Sequence, residues 1–152
     1  MKFTLLLLII CVSFVTKVQA VVTGEMIMVR STQAFPETMS LLQEAIRQQG
    51  YTLTRVQRVD VGLSARGYKT DKYRIVFFGK GEQIKRLAEK YPQLIPYLPL
   101  KIAIYAEAEN TILISANPDV FNDMFKLPEL KPVFNLWHKD ITEILKSVQI
   151  QN

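Results

Sequence analysis

The chain of 152 residues is poor in the side chains that carry most enzymatic chemistry, with one cysteine, Cys11, and one histidine, His138. Cys11 lies inside an apolar leader. Once that leader is removed, the remaining chain can hold no disulfide, thiolate nucleophile or cysteine-ligated metal. Ile10 and Val12 beside it, and its place in the middle of the apolar run, also argue against a lipid-attachment cysteine. Ser31, Ser40, Ser64, Ser115 and Ser147 lack a Gly-x-Ser-x-Gly elbow, and only His138 could serve them as a base. His138 itself reads as a surface histidine beside Asn135 and Thr142. Asp140 and Glu143 follow at two and five residues, outside the three- or four-residue spacing that stacks helix neighbours.

A calcium loop with its central glycine is missing as well. Asp119 reads as helix-start charge with Asp123 four residues on, and Glu107 and Glu109 as solvated charge at a hairpin tip. Gly79-Lys80-Gly81 has neither the first glycine, the spacing nor the Ser/Thr of a phosphate loop, and reads as a strand-to-helix turn. There is no internal repeat and no low-complexity tract. The longest apolar run, Phe3 to Val15, has 13 residues, short of the roughly 20 that cross a bilayer as a helix.

What is present begins with that run. Met1 and Lys2 precede it and Val18-Gln19-Ala20 follows, the layout of a secretory signal peptide over residues 1–20 cleaved between Ala20 and Val21. Lys17, close to the cut, leaves an uncleaved anchor as the alternative. The expected location is periplasmic or secreted. The mature chain would carry 17 basic and 14 acidic residues, and its charge is unevenly spread: Arg55 to Lys90 holds ten basic and four acidic residues.

Apolar spacing outlines the fold. Glu25 to Arg30 reads as a strand, and Phe35, Met39, Leu42 and Ile46 as a helix with Pro36 near its start and Gly50 past its end. Tyr51 to Val61 reads as a long strand with a bulge, and Gly62 to Lys72 as a flexible loop. Tyr73 to Gly79 reads as a central strand covered on both faces. Ile84 to Tyr91 is a helix stopped by Pro92, Lys101–Ala106 and Thr111–Ala116 form a hairpin, and Asp119 to Phe125 a helical turn. A final amphipathic helix, within 133–152, carries Phe134, Trp137, Ile141, Leu145 and Val148 and is expected to pack on the domain of residues 21–132. The order β-α-β-β-α-β-β-α predicts a single α+β domain, with a mainly antiparallel sheet of about five strands covered by helices.

Three stretches carry a family resemblance: the helix closing in Gly50-Tyr51, the strand from Arg74 to Gly79, and Leu98-Pro99-Leu100-Lys101-Ile102-Ala103-Ile104-Tyr105. Over Met26 to Val120 the chain resembles the bacterial domain of unknown function 302. It departs from the family pattern at Gly79-Lys80-Gly81, where members often continue Phe-Gly with Asn-Pro. The resemblance implies an α+β single domain and no assigned activity or catalytic residues.

The candidate site is therefore the basic segment. Arg66, Lys69 and Lys72 lie in the loop, with Arg55, Arg58 and Arg74 on its flanking strands and Tyr68 and Tyr73 interleaved. A bulge between Leu53 and Val59 would bring Arg55 and Arg58 to one side. The expected function is non-catalytic binding, without cofactor or metal, of an anionic small molecule, envelope component or acidic protein. Export argues against nucleic acid, and a homodimer is compatible with this reading. The alternatives are an enzyme using unpaired carboxylates or basic residues, and an envelope protein acting through its last helix.

Overall fold

The protein is described from a computed structural model over residues 21–22 and 24–149; the expected leader, with Ala20, lies outside the described residues. Alternation sets the faces of each strand. In β2 (Met26–Ser31), Ile27, Val29 and Ser31 are buried while Met26, Met28 and Arg30 are exposed. β2 joins β1 (Val21–Val22), β3 (Thr52–Arg58), β4 (Tyr73–Gly79), β5 (Leu100–Glu107) and β6 (Asn110–Ala116) in one sheet. The order is β1-β2-β6-β5-β4-β3, and every neighbouring pair is antiparallel. This is the expected α+β domain, with the two-residue β1 added at one edge.

Helix α1 (Phe35–Gln48) has Pro36 at its start and Glu37 in its first turn. It ends on Gly50 at φ 73°, a left-handed conformation that glycine adopts without a Cβ penalty. The Gly50 N–H donates to the Arg47 carbonyl at 2.9 Å and the Tyr51 N–H to the Ile46 carbonyl at 3.2 Å, a Schellman closure. That closure delivers Tyr51 into the core. Its ring meets Phe78 edge-on at 5.3 Å, and its hydroxyl donates to Asp140 Oδ2 at 2.7 Å. Burial, then the bond to Asp140, pushes the Tyr51 phenol well above its usual range.

The remaining helices are α2 (Val59–Ser64), α3 (Gly81–Lys90), α4 (Val120–Phe125) and α5 (Lys131–Val148), with 3-10 turns at Pro92–Tyr97 and Pro128–Leu130. Helices α1 and α5 pack on each other and on one face of the sheet. There Leu42, Ile46, Phe134 and Ile141 join Val29, Val76, Ile102 and Leu113 in one apolar core. Gly79 is a close-approach position, because a Cβ there would collide with Ile84 of α3.

Two expectations are corrected. The strand expected to reach Val61 stops at Arg58, and Val59–Ser64 forms α2, so the expected loop is helical at its start. The cause is tertiary: Asp60 in the first turn of α2 pairs with Arg74 of β4, which outweighs the β preference of Val59 and Val61. The second correction concerns β4, which is covered on one face only. Val76 and Phe78 are fully buried, while Tyr73, Ile75 and Phe77 on the other side are half-buried.

The Asp60–Arg74 pair makes a pH prediction. Their side chains are only 15% and 14% exposed, and the guanidinium holds the Asp60 carboxyl below its usual value. An unfolded Asp titrates at about 3.9, so the unfolded chain takes up the proton first as acid is added. The pair's contribution is complete above that pH and is lost as pH falls through the lower, folded value. Arg74→Met should cost roughly 1.5–3 kcal/mol at neutral pH. Chemical denaturation at neutral pH and near pH 3 should show the gap between variant and wild type narrowing in acid.

Candidate functional site

The face of the sheet turned away from α1 and α5 is apolar, and strand register shows how it is built. Across the middle, Met28 faces Ile114, Ile114 faces Ala103, and Ala103 faces Ile75. One row further toward the start of β5, Lys101 faces Phe77 and Phe77 faces Arg55. At the opposite end Tyr73 faces Tyr105 and Tyr105 faces Ile112. Ile112 is only 1% exposed yet stands apart from the main core cluster; the Arg30–Glu107 ion pair stands beside it on this same face. Met26 and Met28 are 48% and 37% exposed.

Two hollows open on this face. One of about 530 Å³ is lined by Tyr73, Ala103, Tyr105, Ala106 and Ile114, with Thr70 to Lys72 along its rim. The other, of about 480 Å³, lies among Thr54, Arg55, Phe77, Ile84 and Pro99. Antiparallel spacing separates the Arg55 and Lys101 backbones by two strands, roughly 10 Å, with the Phe77 ring between them. Both side chains are exposed, and neither has an ion-pair partner among the described residues.

The six residues expected to form a basic patch do not come together. The register shift falls between Leu53 and Arg55, making Thr54 the extra residue. From Arg55 to Arg58 the ladder is regular, so these two residues point to opposite faces. Arg55 alone joins the open face. Arg74 is spent on Asp60, and its guanidinium lies 5.7 Å from the Phe35 ring centroid. Lys72 borders the larger hollow, but its ammonium sits 5.9 Å from that same ring on the helix side. Arg66 and Lys69 are exposed in the loop after α2. Lys101, absent from the expected set, was legible as the lone charge inside the apolar run of β5.

His138 is better placed than its helix position implies. Its Nδ1 lies 2.7 Å from Asn117 Oδ1 and 3.2 Å from Asp119 Oδ2. Asn117 also accepts the Asp119 N–H at 3.0 Å and donates to the Gly24 carbonyl at 3.1 Å. The cluster ties α5 to the end of β6 and the start of β2. Among the described residues no group of three His, Cys, Asp or Glu could hold a metal ion.

The family model described as Domain of unknown function DUF302 matches residues 27–148. The chain belongs to this family. The match runs through α5, so the last helix lies within the family domain, beyond the stretch ending near Val120 that the sequence motifs alone support. Similarity extends to the crystal structure of an uncharacterized conserved DUF302 protein from Bacillus stearothermophilus, at 20% identity and a TM-score of 0.73. That alignment covers 81% of this chain and 97% of the other, and it establishes a shared DUF302 fold. No curated protein matches the chain. Among the described residues no helix is long and apolar enough to cross a membrane.

Proposed function

We propose that this DUF302 protein is an exported binding domain, without catalysis of its own, whose open sheet face holds an anion with an apolar body. The observation that carries this reading is the row Arg55–Phe77–Lys101: two cations flank one aromatic ring and no carboxylate is paired to either. Unpaired cations on apolar ground favour an anion, and the apolar rows beside them favour one that is more than a bare ion. Arg66 and Lys69 supply a longer-range, salt-screened field that draws such a ligand in. The leader motif supports export, which puts anionic envelope components, small anions and acidic proteins within reach.

The test is a fluorescence titration with anilinonaphthalene sulfonate, an anion with a flat apolar body. Binding should be saturable and should weaken as sodium chloride is raised. Arg55→Gln with Lys101→Gln should weaken it about tenfold, the combined effect of two exposed charges. Arg58→Gln, on the opposite face, should leave it nearly unchanged. Equal affinity in the double variant, or indifference to salt, overturns the reading.

A further inference from the structure

We infer that the ligand is a single-chain amphiphile, its anionic head between Arg55 and Lys101 and its unbranched tail lying along β5. This rests on the reading of the open face as an anion site and adds the shape of the apolar body. Ala103 makes that shape. It faces Ile75 on one side and Ile114 on the other, so a methyl floor lies between two branched walls. The floor runs from the Lys101–Phe77 pair at one end to the Tyr105–Tyr73 pair at the other, where the larger hollow opens. Four residues of antiparallel strand separate those pairs, roughly 13 Å. A zigzag of carbon–carbon bonds of about 1.5 Å covers that length in about ten methylenes.

The charges on the face argue against a second copy as the occupant. Glu107 is the one carboxylate on the open face of the described strands, and it is already paired with Arg30. Among the open strand face and the hollows on it, a second copy would offer Arg55 and Lys101 only the paired Glu107 and, at the rim of the larger hollow, Asp71, so both cations would be buried against largely apolar surface. A carboxylate, sulfate or phosphate head on a linear chain satisfies both cations and fills the trough.

The test titrates the purified protein with straight-chain carboxylates from hexanoate to hexadecanoate, below their micelle concentrations. Affinity should rise about twofold per methylene, as for a half-buried group, and level off near ten to twelve carbons. Decyltrimethylammonium should not compete. Ala103→Phe should abolish the chain-length dependence; Ala103→Val, a smaller insertion, should reduce it if the first variant folds poorly. Carboxylate binding that ignores chain length overturns this inference and leaves the anion site standing, whereas no binding of the sulfonate dye or of any carboxylate overturns both. A stable dimer that Ile75→Lys disperses and that fails to bind decanoate assigns the face to a second copy and overturns the inference. Cosedimentation with phosphatidylglycerol vesicles without binding of free decanoate assigns it to a membrane surface and overturns it as well.

Discussion

Ending the chain at Pro132, which removes nearly all of α5, is expected to abolish cooperative folding. Phe134, Trp137, Ile141, Ile144, Leu145 and Val148 of that helix are each 0–2% exposed. At about 1.5–3 kcal/mol for each buried side chain, their loss comes to roughly 9–18 kcal/mol. That is of the same size as the roughly 5–15 kcal/mol by which a whole domain is stable. The cut also exposes Leu42 and Ile46 of α1 and the inward residues of β2, which α5 covers. Thermal unfolding followed by circular dichroism should show no cooperative transition, and the fragment should aggregate. A fragment melting within a few degrees of the full chain would make α5 an independent appendage.

Tyr51→Phe is the single substitution expected to cost most relative to the atoms removed. It deletes one oxygen and leaves the buried Asp140 carboxylate without the donor that sits 2.7 Å away. A buried charged acceptor stripped of its partner costs roughly 2–3 kcal/mol. Tyr51→Phe with Asp140→Leu removes both polar groups and should recover much of that loss, because two apolar side chains need no partner. The pair also has an alkaline signature. The Tyr51 phenol is raised above its ordinary value, so above about pH 10 the unfolded chain releases a proton that the folded chain keeps. Stability falls there in the wild type, and this component should be missing from Tyr51→Phe. Denaturant midpoints at neutral pH and near pH 11 measure both effects. A single variant as stable as the wild type would show that Asp140 is satisfied elsewhere.

Helices α1 and α5 were legible in the sequence because their stripes are local: Leu42 with Ile46, and Trp137 with Ile141, recur at a spacing that only a helix turns to one side. The end of β3 was not legible. Val59 and Val61 carry a strand preference, and what turns them into α2 is an ion pair from Asp60 to Arg74, fourteen residues away. β4 shows a different limit. Alternating apolar residues on both faces of Tyr73–Gly79 read the same whether the second face meets a helix, a ligand or water. The site itself was half legible. Arg55 stood out within a basic segment, but its place in one row with Lys101 depends on the register of three strands and on where Thr54 inserts. Arg58 and Arg74 belonged to the same charge run and went elsewhere, because sequence proximity of charges does not determine the side of a sheet they occupy.

The place of β2 beside β6 has a kinetic consequence. Strands β3 to β6 form a meander whose contacts are between chain neighbours, so it can assemble early. β2 must cross from the start of the chain to pair with a strand about ninety residues later, with Met26 facing Ala116. Loop closure of that span comes before any contact rewards it, so docking of β2 is expected to be the late step of folding. Until it occurs, Leu113 and Ile114 stand on an unpaired edge. The chain is then most prone to join edge to edge with another copy of itself, and the arrival of β2 covers that edge of β6, leaving an outer edge on which β1 pairs Ile27 and Met28.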